Sequence, residues 1–124
     1  MDFHTLSSPM TIHLDTADLF QRLQATPQEI EDFCQRWHIT ELALFGSILR
    51  DDFDPNHSDV DVLATFEPTY TRSLDHMMQM QDELEHLCGR KVDIISRSSL
   101  EASSNWLTKR NIFNASQVIY ARKS

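Results

Sequence analysis

Two aspartates at the start of a short apolar segment are the residues of this sequence best placed to do chemistry. Asp59 and Asp61 are separated by one residue, and residues 60–64 have the composition of a strand. On a strand, residues two apart point to the same face and lie about 6.5 Å apart along the chain. Two carboxylates on one face repel each other unless a cation neutralises both. The pair therefore predicts a site for a hard, oxygen-seeking ion such as Mg²⁺.

A glycine and a serine precede this pair by one polar loop. Residues 42–45 predict a short apolar strand, which ends at Gly46 and Ser47. Glycine lets the backbone approach a ligand closely, and a turn leading into a short helix presents free N–H groups to a phosphate. The serine adds a hydroxyl. Phosphate donors opposite metal-binding carboxylates predict a site for a metal-bound nucleoside triphosphate.

A third aspartate belongs to the next predicted strand. Asp93 stands among β-branched residues in the segment 92–95, after a helical stretch that Gly89 terminates. An aspartate in the middle of a buried strand is costly without a partner. Its presence indicates a third metal ligand or a base for an attacking hydroxyl.

Together these segments resemble the nucleotidyltransferase superfamily of DNA polymerase beta, and within it the minimal nucleotidyltransferases. The resemblance rests on three motifs and on the pattern of the tail, namely Leu44-Phe45-Gly46-Ser47, Ser58-Asp59-Val60-Asp61, Val92-Asp93-Ile94-Ile95, and Arg110-Asn111-Ile112-Phe113 with Val118-Ile119-Tyr120. It implies an α/β fold with a small mixed β-sheet, helices packed mainly on one face, and the acidic site on the open face.

The resemblance also implies an activity and its residues. Asp59, Asp61 and Asp93 would be catalytic and would bind two Mg²⁺ ions, with Asp93 either a ligand of the hydroxyl-activating ion or a base. Gly46 and Ser47 would hold the β and γ phosphates of ATP. The reaction would transfer AMP to a hydroxyl and release pyrophosphate.

The acceptor comes from the resemblance alone. Minimal nucleotidyltransferases of this size resemble antitoxins that transfer AMP to a tyrosine of a partner HEPN-domain ribonuclease toxin. Two alternatives stay open: a non-catalytic antitoxin that inhibits the toxin by complex formation, and a small-molecule nucleotidyltransferase of the antibiotic-modifying kind. The intact acidic triad favours catalysis over binding alone, and the expected lack of a separate acceptor domain disfavours the small-molecule alternative.

Length, charge and cysteine usage limit the function further. The 124 residues predict a loosely ordered N-terminal arm over 1–14 and a single nucleotidyltransferase domain over 15–124. A net charge of −8 argues against direct nucleic-acid binding, which relies on Lys and Arg. Cys34 and Cys88 lack metal-ligand spacing and are expected to be buried free thiols. With no visible signal peptide or membrane-spanning stretch, the sequence predicts a cytoplasmic protein.

Helix signals predict the elements around the site. Asp15 or Thr16 caps a helix through Leu23, and Thr26 with Glu29 forms a capping box for a helix over 27–37. A helix over 74–87 carries methionines that are interpreted as core packing, with Met80 off the main stripe. After residue 98, apolar positions that include Val118 and Ile119 predict one or two helices closing over the sheet.

Two further residues near the site have competing interpretations. Arg50 could contact the triphosphate, but an ion pair with Asp51 or Asp54 is favoured. His57 is interpreted as an ordinary loop histidine, because Mg²⁺ prefers oxygen ligands.

Overall fold

The computed structural model of the protein describes residues 15–122. Within that range the chain forms five α-helices, four strands and a 3₁₀ turn, which are α1 Thr16–Leu23, α2 Pro27–Arg36, β1 Ile39–Phe45, the turn Gly46–Leu49, β2 Val60–Phe66, α3 Leu74–Cys88, β3 Val92–Ser96, α4 Arg97–Glu101, α5 Trp106–Ala115 and β4 Gln117–Ala121. None of these helices is long and apolar enough to cross a membrane. The arm expected over residues 1–14 lies outside the described residues.

The four strands form one mixed sheet in the order β3-β2-β1-β4. Strand β1 pairs antiparallel with β2 and with β4, whereas β2 and β3 run parallel. Parallel neighbours need a crossover connection, and α3 is the helix of this β2-α3-β3 unit. The predicted fold class, a small mixed sheet in an α/β protein, is confirmed.

The two faces of the sheet carry different layers. Alternate strand residues such as Leu44 and Val62 are buried in the main core, together with side chains of α1, α2 and α3. A smaller cluster around Leu63 on the second face packs against Phe113 of α5. Three helices therefore share one face, as predicted. The other face, which was expected to be open, is partly covered by α4 and α5, because its small apolar cluster packs against them.

Side-chain caps fix where the helices begin. The Asp15 carboxylate accepts a hydrogen bond from the third helical N–H of α1 at 2.9 Å. In α2 the Thr26 hydroxyl accepts from the Glu29 N–H at 3.1 Å, and the Glu29 carboxylate accepts from the Thr26 N–H at 2.9 Å. The predicted capping box is thus present, and Gly89 ends α3 in the left-handed conformation.

The prediction of helix at Val118 and Ile119 is wrong. These residues belong to β4, which pairs with β1 along its free edge. Apolar spacing alone does not separate a short strand from a short helix, and β-branched and aromatic residues favour a strand wherever an edge is available for pairing. The predicted helices of this region are α4 and α5.

The assignment of Met80 to a position off the main stripe of α3 is also wrong. Met80 is fully buried, whereas Met78 is 59% exposed. The buried stripe continues from Met80 through Leu84 to Cys88 at helical spacing and packs on the sheet. The interpretation of the methionines as core packing holds for Met80 and fails for Met78.

This difference gives a test of the helix register. Met80→Ala should lower the free energy of unfolding by about 2–5 kcal/mol, because it leaves a cavity in the main core. Met78→Ala, the matched control one half-turn away, should change it by no more than about 0.5 kcal/mol. Urea denaturation of both variants measures the two values, and equal losses would contradict the observed register.

Candidate active site

Strand register places two of the three predicted aspartates side by side. Asp61 of β2 and Asp93 of β3 are paired residues of the parallel ladder. Both neighbours of Asp61, Val60 and Val62, are buried in the main core, so Asp61 points to the second face of the sheet. The same alternation sends Asp93 to that face. Asp59 lies two residues before Asp61, is exposed, and completes the group at the start of β2.

The expectation that Asp93 lies in the middle of a buried strand is wrong. β3 is an edge strand of the sheet, and Asp93 is exposed. The β-branched neighbours that suggested a buried strand do pack, Val92 and Ile94 against the main core, but they lie on the face opposite to Asp93. The position of Asp93 beside Asp61 comes from the register and not from burial.

Gly46 lies directly against the Asp61 carboxylate. Phe45 is the β1 partner of Asp61, so the glycine that follows it stands over the acidic residue. A Cβ atom added to Gly46 would lie 2.5 Å from Asp61 Oδ2, and the glycine φ angle is +78°. The contact requires a residue without a side chain, and the left-handed conformation favours glycine. The backbone of the turn and the carboxylate therefore form one compact unit.

Two hydrogen-bonding side chains hold this turn in place. The Ser47 hydroxyl donates to the Asp59 carbonyl oxygen at 3.3 Å, which connects the turn to the start of β2. Arg22 of α1 donates through Nη1 to the carbonyl oxygens of Ile48 and Arg50, at 2.9 and 2.6 Å. Sequence reasoning missed Arg22, because no local pattern indicates that a helix more than twenty residues earlier contacts the turn.

The electrostatics of the acidic group favour a cation. Asp61 is partly buried, and burial raises the pKa of its carboxyl, with further increases from Asp93 and then from Asp59. Arg50 opposes this rise. A group disfavoured in its charged form by two like charges gains most from a bound cation, and an all-oxygen donor set suits Mg²⁺. Among residues 15–122, however, no three acidic, cysteine or histidine side chains are already gathered as a metal cluster.

A cleft opens beside the glycine. It has a volume of about 210 Å³ and is lined by residues from the end of β1, the turn and one side of α5, namely Phe45, Gly46, Arg50, Asn111, Ile112 and Ala115. Gly46, one of the lining residues, also lies against Asp61, which is not itself part of the lining. The tail motif recognised in the sequence thus contributes Asn111 and Ile112 to the wall of the cleft.

The two neighbouring residues with competing interpretations each contact a nearby carboxylate. Arg50 Nε lies 3.4 Å from Asp52 Oδ1, so the expected pair forms, but with Asp52 in place of the predicted acids. Arg50 also lines the cleft. His57 Nδ1 lies 2.7 Å from Asp54 Oδ2, as an exposed loop histidine.

The cysteines are not part of the site. Cys34 and Cys88 are free and buried, as predicted. Burial raises the pKa of the Cys34 thiol to about 12 and that of the Cys88 thiol to about 11. Both remain protonated near neutral pH, and a thiol is a poor nucleophile and metal ligand.

Comparison with known proteins identifies the family of this chain. The nucleotidyltransferase domain family matches residues 28–119, a range that includes all the predicted site residues. The chain belongs to this family. Protein adenylyltransferase MntA of Thermococcus cleftensis is 35% identical over 68 residues, which make up 55% of this chain and 66% of that protein. The match thus spans slightly less than two thirds of the length of this relative.

Solved structures have the same fold. A proposed minimal nucleotidyltransferase superposes with a TM-score of 0.54 at 26% identity, over 85% of this chain and 96% of that one. A chain from the complex of a tri-AMPylated Shewanella oneidensis HEPN toxin with its MNT antitoxin superposes with a TM-score of 0.53, over 77% of this chain and 69% of that one. At 14% identity, this second likeness shows the fold alone.

The Gly46 contact gives a prediction with a control inside the chain. Gly46→Ala should displace the Asp61 carboxylate, lower the free energy of unfolding by about 1–3 kcal/mol, and remove binding of Mg²⁺ and ATP. Gly89→Ala has the same left-handed cost of about 1–2 kcal/mol, but its nearest contact is 3.9 Å away. Denaturation and calorimetric titration with ATP and Mg²⁺ separate the two. Equal ATP affinity in both variants would contradict the assigned role of Gly46.

The raised pKa of Asp61 gives a pH-dependent prediction. The folded protein holds the Asp61 proton more strongly than the unfolded chain, so this group lowers stability once the pH exceeds the unfolded value of about 3.9. Without metal, Asp61→Asn should raise the melting temperature at pH 7, and the gain should disappear near pH 3. The exposed Asp82→Asn is the control. A gain in melting temperature that is independent of pH would contradict the electrostatic cause.

Proposed function

We propose that this protein is a metal-dependent nucleotidyltransferase that moves AMP from ATP to a tyrosine hydroxyl of a HEPN-domain ribonuclease toxin, and so acts as an antitoxin in the cytoplasm. The observation that carries the proposal is the contact of Gly46 with an Asp61 carboxylate that has Asp93 at its side. Membership of the nucleotidyltransferase family and similarity to a protein adenylyltransferase support it.

The acidic group would hold the metal. Asp59, Asp61 and Asp93 are the candidate ligands, and their oxygen donors and mutual repulsion fit Mg²⁺. Two bound Mg²⁺ ions would supply charge neutralisation at the α-phosphate and a lower pKa for the acceptor hydroxyl. Asp93 lies on the edge strand, open to solvent, where an acceptor side chain can reach it.

The nucleotide would lie across the turn. The Gly46 backbone allows the close approach that a phosphate needs, and the Ser47 hydroxyl, now donating to a carbonyl oxygen, can turn to a phosphate oxygen. The cleft beyond Gly46 would take the rest of the triphosphate or the nucleoside. Arg50 on its wall supplies positive charge, and Asn111 supplies an amide able to donate and accept hydrogen bonds.

The reaction would be an in-line displacement. The acceptor oxygen forms a bond to the α-phosphorus while the bond from that phosphorus to the bridging oxygen breaks, so that pyrophosphate leaves. The hydroxyl proton passes to Asp93 or to solvent, depending on whether Asp93 serves as base or as metal ligand. The products are an adenylylated acceptor and pyrophosphate.

The test is the mass of the partner after reaction. With the HEPN toxin, ATP and Mg²⁺, intact-protein mass spectrometry should show an increase of about 329 Da for each AMP transferred. The double variant Asp59→Asn with Asp61→Asn should give no increase, because asparagine keeps the shape but removes the charges that hold Mg²⁺. The double variant should still fold, as circular dichroism would show.

Two outcomes would contradict the proposal. Inhibition of the toxin without ATP and without a change in its mass identifies a binding antitoxin, whose effect is lost on separation because the complex is reversible. Transfer by the double variant at the rate of the parent excludes the assigned metal ligands.

A further inference from the structure

Helix α5 presents large apolar side chains to solvent on the face of the sheet that carries the acidic group. None of the ten residues of α5 is fully buried. Trp106 is 63% exposed and Leu107 is 54% exposed. Tryptophan is highly buried on average, and tryptophan and arginine are enriched among the residues that contribute most to binding at protein interfaces. We call Trp106, Leu107 and Arg110 the α5 patch.

The chain segment that includes the α5 patch carries only basic charged residues. No Asp or Glu follows Glu101, although the chain as a whole has a net charge of −8. Lys109 donates through Nζ to the Glu101 carbonyl oxygen at 3.0 Å, and the Glu101 carboxylate pairs with Arg97 at 3.3 Å. Arg110 is exposed and has no ion pair with any residue of 15–122. The patch is therefore a cationic, apolar island on an acidic molecule.

Helix geometry connects the α5 patch to the cleft. Residues four apart lie on one side of a helix, so Leu107, Asn111 and Ala115 form one ridge. Asn111 and Ala115 line the cleft beside Gly46. From Trp106 to Ala115 the helix rises by only about 14 Å. A protein covering the α5 patch would thus reach the cleft and the acidic group within one interface of ordinary size.

We propose that the α5 patch is the docking surface for the acceptor protein, which meets it with an acidic surface that contains an apolar pocket for Trp106. This inference rests on the proposed function, because it places the acceptor of that reaction. A protein acceptor needs such a surface, because the reacting site contacts only one hydroxyl group of the acceptor. The positive charge of the patch favours an acidic partner. Because the rest of the protein is acidic, such a partner is attracted only at the patch, and this attraction orients it.

The experiment measures binding and transfer separately. The HEPN toxin is titrated into the wild-type chain without ATP, and its dissociation constant is measured by calorimetry. Transfer is then measured as AMP added per toxin at several toxin and ATP concentrations. Trp106→Ala and Arg110→Glu should each raise the dissociation constant and the KM for the toxin at least about tenfold, with the KM for ATP unchanged. Arg110→Lys, which keeps the charge, should raise the dissociation constant and the KM for the toxin by less.

A matched control is available on the opposite face. Leu74 and Met78 of α3 are also exposed, at 77% and 59%, and also lie four residues apart on one helix. The double variant Leu74→Ala with Met78→Ala should bind the toxin like the wild type. Melting curves of all variants should coincide, because every substituted side chain is exposed.

The outcomes separate this inference from the proposed function. Weakened binding in the α5 variants with no mass change in the wild-type reaction supports the docking surface and rejects adenylyl transfer. Wild-type binding by Trp106→Ala and Arg110→Glu rejects the docking surface and leaves the transfer reaction standing. Absence of any wild-type complex, or binding of a single-stranded RNA that Arg110→Glu abolishes, also rejects a protein partner at the α5 patch.

Discussion

The Gly46 backbone and the Asp61 carboxylate lie so close together that no side chain fits between them. Most of the local architecture follows from this contact. It requires a glycine in the left-handed conformation at the end of β1, and it requires β1 and β2 to pair in the register that sets Phe45 opposite Asp61. Arg22 holds the following turn from the side of α1. A shift of β2 by one residue would turn Asp61 into the main core.

The acidic group illustrates a conflict between stability and chemistry. Three aspartates near one another, one of them partly buried, oppose folding as long as they are charged and unpaired. A sequence selected only for stability would have other residues at these positions, or would place cationic side chains beside them. Arg50 gives partial relief to Asp61, yet its nearest ion-pair partner is Asp52. Such uncompensated charge is typical of functional sites, where it creates affinity for a ligand of opposite charge.

The second face of the sheet combines the proposed chemistry with the proposed docking surface for a partner. The main core is built on the opposite face, where α1, α2 and α3 bury nearly all the large apolar side chains. Most of the stability of the fold therefore comes from the main core, and the second face contributes less to it. Its small cluster needs only a few contacts from α4 and α5, and the outer side of α5 is left available for recognition. Segregation of stability and function to opposite faces allows one to change without the other.

How much of this could be read from the sequence depends on the range of the interaction. Local signals were sufficient for the helix caps at Thr26 and Gly89, because a cap is formed by residues three or four apart. Apolar composition was sufficient to find 42–45 and 60–64, which are parts of the longer strands β1 and β2. The tail was misread at Val118, where a free strand edge on β1 outweighed an ambiguous apolar pattern. Met80 was predicted to lie off the buried stripe because several apolar stripes can be drawn on this helix. Only the packing of the helix on the sheet determines which of them is buried.

By itself, the sequence determined which residue types are present at the site: a glycine able to approach a ligand, a serine, and three aspartates at strand spacing. Only the tertiary structure decided their arrangement. The pairing of Asp61 with Asp93, the exposure of Asp93 on an edge strand, the anchoring of the turn by Arg22, and the wall that α5 adds to the cleft all join distant parts of the chain. Spacing along a chain fixes only neighbours within one helix or strand, whereas contacts between strands and helices depend on how the whole core packs.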